Sequence, residues 1–140
     1  MKKILILFMI LGFSLTMVSC DNGNDDNKYS SDIIGTWAWY KDFFPSEGWD
    51  EWEEGDDLDI VIFEKGGSGM SQYYWCDRYG DYELEETDYF EWSIKGNKLT
   101  IESYDEGEDS ARIVSLTDEE LVIEWEDEGE TGKSYYLRID

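Results

Sequence analysis

Histidine is absent from this chain, proline occurs once, cysteine twice, and 11 basic residues face 35 acidic ones. Each shortage removes a class of function. Without histidine no Ser-His or Cys-His pair can form to activate a nucleophile. A zinc site is left with one spare cysteine and carboxylates, so zinc is not expected. Two cysteines build no disulfide framework. A formal charge of −24 at pH 7 repels phosphate backbones and anionic headgroups, which excludes nucleic acid as a partner. High acidity can signal disorder, but aromatic residues make up 16% of the chain and lie in strand-like runs, so a folded domain is expected.

What is present begins with the first twenty residues. Met1-Lys2-Lys3 is basic, Ile4 to Leu11 is unbroken apolar sequence, and Gly12 to Ser19 is small and weakly polar before Cys20. That is the pattern of a secretory signal peptide, residues 1–19. Its apolar stretch of about fifteen residues is short of the roughly 20 a spanning helix needs. Met17-Val18-Ser19-Cys20 resembles a bacterial lipobox, which implies that Cys20 is lipidated and becomes the first mature residue. Attachment to a membrane, with the outer membrane as the expected site, then rests on acyl chains, since charge opposes it. Two or more chains anchor stably where one does not. Residues 20–32 are polar, with Asn, Asp, Gly and Ser, and are expected to form a flexible tether. The acidic run after Cys20, Asp21 to Asp26, resembles the surface-export signal of Bacteroidota lipoproteins. Periplasmic and cell-surface orientations both stay open.

From residue 33 the chain reads as one domain, 33–140. Leu58-Asp59-Ile60-Val61-Ile62 alternates, as do Phe90-Trp92-Ile94, Leu99-Ile101, Leu121-Ile123-Trp125 and Tyr135-Leu137-Ile139 with their polar neighbours. A period of two with one wet face predicts antiparallel strands. Strands over 33–41, 69–76 and 110–116 bring the expected number to eight. Gly96-Asn97 predicts a two-residue hairpin turn. Pro45 falls in a loop, as ladder hydrogen bonding requires. Cys76 follows Tyr73-Tyr74-Trp75 and is expected to be a buried, inert thiol. Eight half-wet strands cover their dry faces by closing on themselves. The fold class is therefore all-β, an eight-stranded antiparallel up-and-down barrel, with a two-sheet sandwich as the alternative. Strict alternation places Leu58, Ile60 and Ile62 on one face of their strand. It also turns Tyr135 inward and Arg138 outward.

Ile34-Gly35-Thr36-Trp37, the segment Phe63-Glu64-Lys65-Gly66-Gly67-Ser68-Gly69, and Trp92 to Ile101 followed by Ile113 to Leu121 together resemble the small lipocalin-like lipoproteins of Bacteroidota. The resemblance spans nearly all of 33–139. It implies a barrel with one closed end, in which Gly35, Trp37 and Arg138 are structural: Trp37 plugs the end and Arg138 stacks on it.

A barrel of this size either fills with side chains or holds one small ligand. The segment Asp42 to Asp57 is expected to be a loop carrying Phe43, Phe44, Trp49 and Trp52 among Asp50, Glu51, Glu53, Glu54, Asp56 and Asp57. By resemblance it is the lid over the open end. These four rings, with Tyr74, are the candidate ligand-binding residues. Aromatic faces beside carboxylates suit a sugar or an apolar or amphipathic small molecule. The other reading is that the rings pack on the rim and the protein is a non-enzymatic accessory module presenting an aromatic and acidic surface to a protein partner. Seven acids within 50–59 match no calcium-loop spacing, so no metal and no cofactor are expected. Hydrolysis by paired carboxylates is the weakest of the readings, and no catalytic residue is assigned.

Overall fold

The computed structural model describes residues 28–140. The expected signal 1–19, Cys20 and the tether up to residue 27 lie outside the described residues. Lys28–Asp32, placed in the expected tether, forms a short helix, α1. Its Tyr29 packs against the domain's apolar core.

Nine strands follow: β1 (Gly35–Phe44), β2 (Gly48–Glu51), β3 (Leu58–Phe63), β4 (Ser68–Cys76), β5 (Tyr82–Lys95), β6 (Lys98–Ser103), β7 (Gly107–Leu116), β8 (Glu120–Asp127) and β9 (Glu130–Arg138). β1 pairs antiparallel with both β2 and β3, each strand from β3 to β8 pairs antiparallel with the next, and β1 pairs with β9, which closes the sheet. The closed wall has eight staves, because β2 and β3 share one edge of β1. Gly35–Ala38 pair with β3 and Lys41–Phe44 pair with β2. The expected eight-stranded lipocalin-like barrel is the fold observed. Lys95 and Lys98 are register partners across the Gly96-Asn97 turn, with Gly96 at φ 64°, as that dipeptide predicts.

The apolar core occupies one end. Ile33, Trp37, Phe63, Phe90, Leu99, Ile113 and Leu121 are buried together there. In β3, Leu58, Ile60 and Ile62 share one face, as alternation expects, and the other face turns Val61 and Phe63 to the core cluster: Trp37 is the partner of Val61, and Phe63 of Gly69. Both faces of Leu58–Phe63 are apolar, so periodicity alone cannot choose the inner one. One alternation reading, that of β9, changes. In β9, Tyr136 packs against the core and Arg138 is the partner of Trp37, so Tyr135 faces out. Adjacent tyrosines gave the pattern no contrast.

The closed end explains the Gly-x-Trp opening. The Arg138 guanidinium lies 4.3 Å from the Trp37 ring centroid. It donates to the carbonyls of Ile34 (2.8 Å), Asp32 (2.6 Å) and Asp118 (2.9 Å). Trp37 Nε1 donates to the Ile33 carbonyl at 2.8 Å. Gly35 lies under this arrangement at φ 146°. A Cβ there would run into Arg138 Nη1 and approach the Asp140 carboxylate to 3.0 Å. Glycine is required both by the backbone angle and by the crossing guanidinium. A second close approach accounts for Gly69, whose added Cβ would lie 2.5 Å from the Phe90 ring.

Replacing Arg138 by Met keeps the aliphatic stem but removes the cation–π contact and three carbonyl hydrogen bonds. The expected loss is about 2–3 kcal/mol, read as a lower denaturation midpoint in guanidinium chloride. An unchanged midpoint would remove this latch from the account.

Candidate functional site

Beyond the core the barrel opens into a cup of about 580 Å³. Strand alternation brings side chains from five staves into it. Trp39, Tyr73 and Tyr136 supply rings, Ser71 and Ser134 supply hydroxyls, and Asp42, Asp50, Asp59, Glu86 and Asp88 supply carboxylates. A second hollow of about 550 Å³ shares Val61, Ser71, Glu86 and Asp88 with the first. It lies where β5 outruns its neighbour. Pairing of β5 with β6 stops at Phe90 and Ser103, while β5 begins at Tyr82.

A register shift in β1 between Trp39 and Lys41 decides what faces the cup. Trp39 faces in, Tyr40 is the extra residue, and Asp42 faces in again. Trp39 Nε1 donates to Asp42 Oδ1 at 2.6 Å, so the two act as one polar ledge. Ser134 Oγ accepts from Trp125 Nε1 at 2.8 Å. Asp57, at the rim, accepts from the Tyr73 hydroxyl and from the Cys76 amide at 2.9 Å.

The electrostatics follow from this crowding. Burial, reinforced by the charges of Asp57 and Asp42, raises the Asp59 carboxyl above its ordinary range. Burial also raises the Tyr136 phenol, with Asp42 and Asp59 adding to it and the Ser134 hydrogen bond opposing. The hydrogen bond to Asp57 pushes Tyr73 up to about 12. In return, hydrogen bonds from Tyr73 and the Cys76 amide hold Asp57 below the usual carboxylate range. Among the described residues no group of three or more Cys, Asp or Glu side chains is arranged to hold a metal ion.

None of the five candidate ligand-binding residues, Phe43, Phe44, Trp49, Trp52 and Tyr74, lines the cup. Asp42 to Asp57 is not a free lid: its first three residues extend β1 and its middle returns as β2. Phe43 and Trp49 are register partners with ring centroids 5.0 Å apart, on the outer face. Phe44 stacks on Trp125 at 5.4 Å. Trp52 is half-buried, with its Nε1 donating to the Asp57 carbonyl at 3.0 Å. The Tyr74 hydroxyl donates to Gln72 Oε1 at 3.1 Å. The cup residues went unmarked because Asp59 and the acids of 83–88 look like solvated positions in a linear pattern. The usable signal is the position of Asp59 within a strand whose other residues are all apolar. Cys76 is a half-buried free thiol whose Sγ is 3.6 Å from the Asp77 carbonyl.

The sequence profile of the lipocalin-like domain family matches residues 33–123. The chain belongs to that family. Among solved structures it is similar to a lipocalin-like protein from Bacteroides uniformis, with 18% identity and a TM-score of 0.56 over 76% of this chain and 98% of that one. It is similar to a protein from Bacteroides eggerthii to the same extent, at 16% identity and a TM-score of 0.56 over the same shares. No curated protein matches. Among the described residues no helix is long and apolar enough to cross a membrane.

Because Asp59 binds its proton more tightly folded than unfolded, its ionisation opposes folding. The stability it contributes is full below the ordinary carboxylate pKa, about 3.9, and is lost as pH rises through the raised value. Asp59→Asn is therefore expected to raise the melting temperature at pH 7, with the gain shrinking as pH falls toward 4. Parallel melts of the two proteins read this directly, and a gain independent of pH would contradict it.

Proposed function

We propose that this protein is a non-enzymatic binder of a small molecule, held at a membrane through a lipidated Cys20, with the cup as its ligand site. The observation that carries the reading is the cup itself. A volume of about 580 Å³ lies within the range of roughly 300–1,000 Å³ typical of small-molecule sites. The family's barrel is an architecture suited to one small ligand. Three rings beside hydroxyls and carboxylates favour an amphipathic molecule or a sugar over a pure hydrocarbon, because an apolar ligand would strip water from the acids without replacing it. No nucleophile–base pair involving histidine exists in the chain, which supports binding over catalysis.

A second reading has one observation in its favour. Trp49 is 54% exposed and, with Tyr40 and Tyr135, surrounds Lys41 Nζ at 4.6–5.3 Å. An aromatic outer patch of this kind suits a protein partner.

Titration of the isotope-labelled protein with a set of amphipathic and sugar fragments separates the two. The proposal expects amide shifts at Trp39, Ser71, Tyr73 and Ser134, abolished in Ser71→Phe, which fills the cup. Shifts confined to Phe43, Trp49 and Tyr135 would favour the outer patch instead. Labelled palmitate fed to producing cells is expected to enter the wild-type chain and not Cys20→Ser; equal labelling of both would refute the anchor.

A further inference from the structure

We propose that the ligand of the cup is an organic cation, an amine or diamine with an aliphatic or aromatic body. This rests on the cup being the ligand site and specifies the charge of what enters it. The cavity wall carries Asp42, Asp50, Asp59, Glu86 and Asp88, contributed by four different strands, and neither cavity is lined by any Lys or Arg. The basic residues lie elsewhere. Lys41 is held over outer rings, Arg112 pairs with Glu124 at 2.6 Å on the outer face, and Arg138 is committed to Trp37 at the closed end. Glu124 on the outer face thus has a cationic neighbour, whereas among the described residues no ion pair reaches the acids of the cup.

Hydrogen bonding points the same way. Asp42 takes one neutral donor, Trp39 Nε1. Asp59, Glu86 and Asp88 accept no side-chain or backbone donor among the described residues. Carboxylates lining an open concave wall focus negative potential into the space between them. An entering ammonium would meet several acceptors it can pair with at once, through charge-assisted hydrogen bonds. The same wall is lined by Trp39, Tyr73 and Tyr136, residue types whose rings attract cations and cover a ligand's carbon body. The acids are spread around the wall, and no three converge as a metal site among the described residues. A distributed ring of charge matches an extended amine better than a compact divalent ion, which demands convergent oxygens.

The test compares 1,12-diaminododecane with 1,12-dodecanediol, which share a carbon chain and differ in their end groups. Calorimetry and amide shifts are recorded on the full-length protein. The diamine is expected to bind in the cup at least about tenfold more tightly than the diol, the ratio that about 1.4 kcal/mol gives. Asp42→Asn/Asp88→Asn is expected to weaken the diamine by a further factor of about ten. Glu91→Gln/Glu102→Gln removes two outward, mutually paired acids and is expected to change affinity less than about twofold. If the diol binds the cup as well as the diamine, the cationic ligand is refuted and the cup reading stands. If both variants weaken the diamine equally, its binding is adsorption to outer charge and the proposal falls. If neither compound shifts cup residues, the cup reading fails with it. Circular-dichroism melts of the two variants establish that each remains folded.

Discussion

The structure depends on one latch: the Arg138 guanidinium lying on the Trp37 ring 4.3 Å away. Trp37 is in the first stave and Arg138 ends the last, so this contact joins the two edges that must meet for the sheet to close. A β-sheet left open presents unpaired edges, and closure across β1 and β9 removes them. The guanidinium also satisfies the carbonyls of Asp32 and Ile34, just where α1 hands over to β1. Gly35 is what lets it cross so close to the backbone. Trp37 is fully buried beneath it, and the remaining core residues gather around that ring.

From this latch the barrel divides into two environments along its axis. The latched end is dry and ring-filled, with Phe63 packed edge-on against Phe90 and Trp92 at 5.7 and 5.6 Å. The other end holds the cup and concentrates acids. Such a concentration opposes folding, as the Asp59 carboxyl registers, raised first by burial and then by the charges of Asp57 and Asp42. The dry end supplies the apolar burial that offsets it. The proposed cationic ligand fits this division, since the unpaired acids of the cup lose least when a complementary partner arrives.

Much of this was legible in the residues. Alternation, the Gly96-Asn97 turn and the spacing of apolar runs yield the eight staves, and Gly35-x-Trp37 with Arg138 marks the closed end. The lining of the cup was not legible, for two physical reasons. One extra residue at Tyr40 reverses which side chains of β1 face in, so Asp42 enters the cup and Phe43 leaves it. Bulges of that kind carry no fixed signature in sequence. The second reason is that an acid in a strand normally marks the wet face. Here the inner face is itself wet at one end, so Asp59, Glu86 and Asp88 carry the same pattern whether they face bulk water or the cup. Of the large rings in 42–57, Phe43 and Trp49 cover the outer wall beside Lys41 and Tyr135, while Phe44 stacks on Trp125 and Trp52 is tied to Asp57.

The central claim is that one end of this barrel is an open cavity of strongly negative potential. The most direct measurement places a thiol inside it, as Ser71→Cys in a Cys76→Ser background. Its modification rates by a trimethylammonium-bearing and a sulfonate-bearing methanethiosulfonate reagent are then compared. The account predicts that the thiol reacts, and that the cationic reagent is favoured by at least about tenfold over its advantage at an outer-face thiol. A thiol that does not react, or one with the same preference as an outer-face thiol, would contradict it.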